Sequence, residues 1–207
     1  MAAGEVLHSF SGPSGGSRDL AWTGKSLLHC DYWENKLYYL NPVSGSVRKS
    51  FDAPGTSVTG IAWSGDGIWH CDYDTHLIYL VHPLNGTTLH SFEGPNSSML
   101  SLSCGPRGLW VADWGTNAIY MLDYVTGAER KVLSSPYESI TGVAWHHGTL
   151  WTCDYNEGKI TQISVVDGSK ISEFDAVGTG LAGIAFGEGN LWYGRDSDAV
   201  LRLVRVA

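Results

Sequence analysis

A spacing of 41 residues recurs along the whole chain and leaves few folds open. The apolar residue that follows a Gly-rich turn falls at Leu28, Trp69, Trp110, Trp151 and Trp192, each 41 residues from the last. Trp22, Trp63, Cys104, Trp145 and Phe186 keep the same interval, as do the turn glycines Gly4, Gly45, Gly86, Gly127 and Gly168. Loop prolines follow it at Pro13, Pro54, Pro95 and Pro136, with Val177 in the fifth place. Five such units account for almost all of the 207 residues. A repeat of this length is one supersecondary unit that buries its apolar surface against its neighbours.

Within one unit the pattern is short and β-rich: Thr59 to Trp63, Ile68 to Tyr73, Leu77 to Val81 and Thr87 to Phe92, with turn residues between the runs. No window of helical length sustains a 3.6-residue period, which excludes a leucine-rich horseshoe and a helical solenoid. Four strands, a to d from centre to rim, in a repeat of this size form a propeller blade. Gly4 to Phe10 matches Gly86 to Phe92, so the chain begins with strand d and ends just after strand c of the fifth unit. The expected fold is all-β, a five-bladed β-propeller in one domain spanning 1–207. Its blades fall at about 11–51, 52–92, 93–133, 134–174, and 175–207 completed by 1–10. Closure by the N-terminal strand removes the exposed edge of an open array.

Blade three reads Leu109-Trp110-Val111-Ala112-Asp113-Trp114-Gly115-Thr116-Asn117-Ala118-Ile119-Tyr120, and Gly60 to Trp63 and Gly142 to Trp145 supply a matching first strand. Together they resemble NHL and YVTN repeats, over all five units, and so the streptogramin lyase-like propeller superfamily. The resemblance implies the fold. For function it implies lyases, lactonases or interaction scaffolds. The local motifs of bacterial and plant glutaminyl cyclases, also five-bladed, are not found.

Thirteen Lys and Arg against 21 Asp and Glu give a net charge of −8, which argues against a nucleic-acid groove. No apolar run approaches the ~20 residues that span a bilayer, so no membrane partner is expected. The first residues show no basic segment followed by an apolar one. The chain is therefore read as cytoplasmic and monomeric, with Cys30, Cys71, Cys104 and Cys153 as free thiols.

Because five copies share one chain, departures from the repeat mark candidate sites. Asp31, Asp72, Asp113 and Asp154 end strand b in four blades, and Arg195 takes the fifth place. Either each Asp accepts hydrogen bonds from its own turn, or the carboxylates form a ring able to hold a divalent cation, which Arg195 neutralises or replaces with an anion site. No other cofactor is expected. Cys30, Cys71 and Cys153 are equivalent, but neighbouring blades lie about 10 Å apart. That is too far for a shared zinc or a disulfide, so they read as small buried hydrophobes.

His29 and His70, in two identical His-Cys-Asp-Tyr segments, lie on the strand face that also carries Asp31 and Asp72. They are either hydrogen-bonded to those aspartates or act as acid-base or ligand-binding groups. Tyr193 fills the same position in blade five. Arg18 and Asp19 replace the Thr-Gly pair of Thr59-Gly60 and Thr141-Gly142, and Glu138 departs in the loop of blade four. These changes gather charge on the face carrying the b–c and d–a loops, which is where a site is expected. Tyr32, Tyr73, Trp114 and Tyr155 form a ring near the same mouth, suited to a sugar or a cation.

The expected function is binding of a small-molecule ligand or substrate, with lyase, cyclase or lactonase chemistry. His29 or His70 is expected to serve as base, and Arg195 or Arg18 to hold an anion. A lectin-like binder and a protein-interaction scaffold are the alternatives.

Overall fold

The computed structural model describes residues 2–206. Alternating short strands and Gly- or Asn-centred turns give twenty β-strands and five four-stranded antiparallel sheets. Blade one contains β2 (Ser17–Trp22), β3 (Leu27–Asp31), β4 (Lys36–Leu40) and β5 (Val47–Asp52). Blade two contains β6 (Val58–Trp63), β7 (Ile68–Asp72), β8 (Leu77–Val81) and β9 (Thr88–Glu93). Blade three contains β10 (Met99–Gly105), β11 (Gly108–Asp113), β12 (Ala118–Leu122) and β13 (Glu129–Ser134). Blade four contains β14 (Ile140–His146), β15 (Thr149–Asp154), β16 (Lys159–Ser164) and β17 (Lys170–Asp175). Blade five combines β18 (Leu181–Gly187), β19 (Asn190–Arg195) and β20 (Val200–Val204) with β1 (Val6–Ser11) as its outer strand. The five-bladed propeller is thus closed as the repeat register requires, with Phe10 opposite Leu201 and His8 opposite Leu203.

The core is not one mass but five seams, each filled from two adjacent blades. Leu28, Cys30 and Leu37 of blade one meet Val58, Ile61 and Ile68 of blade two in one seam. Leu20, Leu27 and Leu40 of blade one meet Ala185, Trp192 and Leu201 of blade five in another. Trp69, Trp110, Trp151 and Trp192 are 3 to 4% exposed. A Trp that buries ~200 Å² at ~25 cal/mol per Å² contributes on the order of 5 kcal/mol before entropy is counted, so these residues dominate their seams. Cys30, Cys71 and Cys153 are free, buried thiols in three different seams.

One irregularity is common to all blades and positions the site. The pairing of each innermost strand with its neighbour slips by a β-bulge near its start: between Val58 and Gly60, Met99 and Ser101, Ile140 and Gly142, and Leu181 and Gly183. The residues left over are Thr59, Leu100, Thr141 and Ala182. In blade one the interruption runs from Ser17 to Leu20, so both Arg18 and Asp19 leave the ladder. A bulge re-aims side chains that regular alternation would direct into the seams.

Candidate ligand-binding site

The bulged residues form the inner of two nested rings at one end of the channel. Arg18, Thr59, Leu100 and Thr141 line a cavity of about 390 Å³ there. The outer ring comes from the first residue of each b–c turn: Tyr32, Tyr73, Trp114, Tyr155 and, in blade five, Asp196. Trp114 is 51% exposed and Tyr73 40%, so the aromatic faces are open to a ligand. The hydroxyls of Thr59 and Thr141 are engaged elsewhere, donating to Met99 O (2.8 Å) and Leu181 O (2.7 Å) of the next blade.

Four of the five outer-ring positions are therefore aromatic, and the charge of the cavity lining is confined to the junction of blades five and one. There Arg18 Nη1 lies 3.7 Å from Asp196 Oδ2. The Arg18 guanidinium also sits 5.1 Å above the Tyr32 ring, and the Tyr155 hydroxyl lies 3.4 Å from Asp196 Oδ1. A guanidinium held over an aromatic face beside a carboxylate is positioned but not saturated, since it has five N–H donors.

Asp19 lies one residue further along β2 and has no exposed surface. Its Oδ2 accepts from Ile61 N and Leu102 N, each at 3.0 Å, on the inner strands of blades two and three. Its Oδ1 has no partner among the described residues. The equivalent positions are Gly60, Ser101, Gly142 and Gly183. A Cβ on Gly183 would stand 2.5 Å from Asp19 Oδ1, so the narrow axis holds this one carboxyl because its neighbours are small. Burial, opposed by the amide hydrogen bonds, pushes its pKa up to about 8. Asp19 is a buried plug tying three blades together. The expectation that it meets a ligand in the loop region is corrected: it lies sealed in the channel.

The strand-end aspartates are loop braces. Asp72 accepts from Thr56 N, Ser57 N and Thr75 N at 2.6 to 2.8 Å. Asp154 accepts from Ser139 N, Asn156 N and Glu157 N, and Asp31 from Gly16 N and Glu34 N. Each carboxylate joins the b–c turn to the d–a loop of its own blade. Gly55, at φ +85°, makes room, since a Cβ there would stand 2.4 Å from Asp72 Oδ2. Burial alone would raise the Asp72 carboxyl, but its amide partners outweigh it and hold the group below its ordinary range. At Asp31 burial prevails and the shift is upward. Arg195 makes the same brace with reversed polarity: its Nε donates to Thr179 O at 2.8 Å and its Nη1 to Asp198 at 3.1 Å. None of Asp31, Asp72, Asp154 and Arg195 lines the bowl.

His29 and His70 are fully buried, and none of their ring nitrogens has a partner among the described residues. They are not hydrogen-bonded to Asp31 and Asp72, whose oxygens point at turn amides. Each instead packs against the tyrosine opposite it on strand c: His29 with Tyr38 at 6.1 Å, and His70 stacked on Tyr79 at 5.0 Å. Burial lowers both pKa values to about 4, which keeps both rings neutral. Tyr193 is likewise interior, its hydroxyl accepting from Val177 N at 3.0 Å. Glu138 is exposed on the loop of blade four, outside the cavity lining. Among the expected site residues, the structure brings Arg18, Tyr32, Tyr73, Trp114 and Tyr155 together. It adds Asp196, Thr59, Leu100 and Thr141. Asp196 could have been found in the sequence, because it follows Tyr155 by 41 residues and is the one non-aromatic member of that ring.

No protein-family profile matches the chain, and no curated protein does. Among solved structures, the chain is similar to the glutaminyl cyclase of Myxococcus xanthus, with a TM-score of 0.83 at 13% identity over 97% of this chain and 95% of that one. Virginiamycin B lyase of Staphylococcus aureus is similar with a TM-score of 0.60 at 15% identity, over 96% of this chain and 69% of that one. The WD40 propeller domain of Doa1 gives 0.63 at 14% identity, over 91% and 63%. At these identities the likeness is one of fold.

Proposed function

We propose that the bowl binds a small organic molecule and that the protein acts on it as a lyase- or cyclase-type acid-base catalyst. The observation that carries this reading is the single break in a five-fold aromatic ring, where Asp196 and Arg18 stand side by side. A lectin-like ring would keep its binding residues equal in every blade; here one junction differs from the other four. In this reading Tyr32, Tyr73, Trp114 and Tyr155 hold the flat or apolar part of the ligand by stacking. Arg18 binds a carbonyl or carboxylate oxygen, and Asp196 takes a proton from the substrate and returns it to the leaving group. Elimination and cyclisation both need this proton transfer and no protein nucleophile. The likeness in fold to a cyclase and to a lyase supports the choice of reaction class.

The test is a panel of N-terminal glutaminyl peptides, cyclic depsipeptide lactones and simple sugars, followed by tryptophan fluorescence and by mass spectrometry of products. One class should bind and be converted. Trp114→Ala should weaken that binding about tenfold, equivalent to ~1.4 kcal/mol of lost stacking. Asp196→Asn should retain binding and lose turnover. Binding of sugars without conversion would favour the non-catalytic alternative. Binding indifferent to Trp114→Ala would place the site elsewhere.

A further inference from the structure

Blade one departs from the repeat at a second pair of positions, at the rim of the bowl. Trp33, the second residue of its b–c turn, is 74% exposed, the most exposed aromatic among the described residues. Asp74, Gly115, Asn156 and Ser197, all small or polar, hold the equivalent place in the other blades. In the d–a loop beside it stands Gly16, where the next three blades have Ser57, Ser98 and Ser139. Elsewhere the two positions join turn to loop by a polar contact: Ser57 Oγ donates to Asp74 Oδ2 at 2.5 Å, and Asn156 Nδ2 to Ser139 Oγ at 2.6 Å. Blade one exchanges this pair for an indole lying against bare backbone, since a Cβ on Gly16 would stand 2.4 Å from Trp33 Cδ1. The aspartate brace does not demand that glycine, because Ser57 N and Ser139 N donate to Asp72 and Asp154 with a side chain in place. Nor does the backbone, whose φ at Gly16 is not positive. One exposed apolar residue needs no explanation; a second residue altered to seat it, beside a ligand cavity, does.

The place of the indole relative to the charged corner shows what it serves. Tyr32 stands between the two, its ring 5.1 Å from the Trp33 ring at 84°, and 5.1 Å from the Arg18 guanidinium carbon. Trp33 thus continues the aromatic lining outward from the point where Arg18 and Asp196 meet. That corner sets a donor beside an acceptor, which is the complement of an amide: the carbonyl accepts from the guanidinium, and the N–H donates to the carboxylate. A chain leaving such an amide over Tyr32 reaches Trp33 within two or three residues, at about 3.5 Å each. The charged residues that follow Trp33 in the chain, Glu34 and Lys36, are opposite in sign, and Glu34 already accepts from the Tyr38 hydroxyl. What the indole offers is therefore its ring, and the group that fits it is a second ring, held by stacking.

We infer that Trp33, seated on Gly16, is an outer subsite that stacks an aromatic side chain of an amide-linked chain running out of the bowl over blade one. The inference rests on the reading of the bowl as a ligand site. It adds the class of ligand, a short peptide, and the direction in which that ligand leaves the cavity. Trp33 sets specificity and takes no part in the proton transfer.

The test is isothermal titration calorimetry on the full chain with three peptide amides, Gln-Gly-Gly, Gln-Phe-Gly and Gln-Gly-Phe, and with thermal melts as folding controls. At least one peptide containing Phe should bind about fivefold tighter than Gln-Gly-Gly, as one added aromatic stack allows. Trp33→Ala should erase that preference and leave Gln-Gly-Gly binding unchanged, whereas Trp33→Tyr should keep most of it. Gly16→Ser, which restores the residue of the other blades and displaces the indole, should act like Trp33→Ala. Trp114→Ala, in the bowl itself, should weaken all three peptides alike. Binding of Gln-Gly-Gly with no preference for Phe would overturn the subsite and leave the bowl reading standing, as would a preference that survives Trp33→Ala. Binding of the lactones or sugars but of none of the three peptides would overturn the ligand class. If none of these compounds binds, the bowl reading fails and the subsite with it.

Discussion

His70 is a fully buried imidazole held by stacking alone, its ring 17° from parallel with Tyr79 and both nitrogens without a partner among the described residues. Such a group costs stability whenever the unfolded chain is protonated and the native chain is not. With native pKa values lowered to about 4 from 6.5, His29 and His70 each lose stability as pH falls from 6.5 toward 4, by roughly 3 kcal/mol per ring at the lower end. Asp19 acts in the opposite sense. Its native pKa of about 8 lies above the ordinary carboxyl value of 3.8, so between the two it holds a proton that the unfolded chain has released, and it gives up stability as pH rises toward 8. Two variants separate these effects in urea melts at pH 5 and pH 8.5. His70→Phe keeps the stacking, removes the orphan nitrogens, and should stabilise at both pH values, more at pH 5. Asp19→Asn keeps an acceptor for Ile61 N and Leu102 N but does not titrate, so it should stabilise at pH 8.5 and change little at pH 5. Equal effects of either variant at the two pH values would show that these groups do not titrate as buried residues.

At the level of strands and turns, the repeated unit is a blade whose two bowl-side loops are clamped by one side chain. Four blades use a carboxylate accepting from amides, and blade five uses the Arg195 guanidinium donating to Thr179 O. Asp72→Ala would leave three amides without their acceptor and is expected to cost about 2 to 3 kcal/mol in urea denaturation. Arg195→Ala should cost less, because it releases a partly exposed carbonyl and an Asp198 that Arg202 still engages. The bulges are the second device at this scale. They turn Arg18 and Thr59 to the channel, and in blade one the interruption spans Ser17 to Leu20, with Asp19 opposite Cys30.

For the whole molecule, closure depends on one non-local pairing, β1 against β20, joining the two ends of the chain. Phe10 packs in the seam of blades five and one, 5.5 Å from Trp192. Removing residues 2–11 would expose the edge of β20 and half of that seam. The truncated chain is expected to aggregate or to elute as open, swapped oligomers in size-exclusion chromatography. A truncated chain with an unchanged melt would mean that three strands suffice in blade five. Ring closure also gives the molecule two unlike faces: one with an aromatic bowl and a single charged corner, the other with aliphatic turn tips.

The sequence by itself determined the number of blades, their strands and the manner of closure, because the 41-residue period and strand alternation are local and are repeated five times. It also determined the aromatic ring, since positions related by that period lie at one height around the axis, and Asp196 was legible on the same ground. Only the tertiary structure decided which departures from the repeat reach the bowl. A bulge shifts one residue's direction without leaving a mark in composition. The partners of a polar side chain can lie far along the chain, as Leu102 N does for Asp19. His29 and His70 share a strand face with Asp31 and Asp72, and alternation alone suggested that they would pair. The turn amides beside those aspartates offered closer donors, and the histidines were left to the seams.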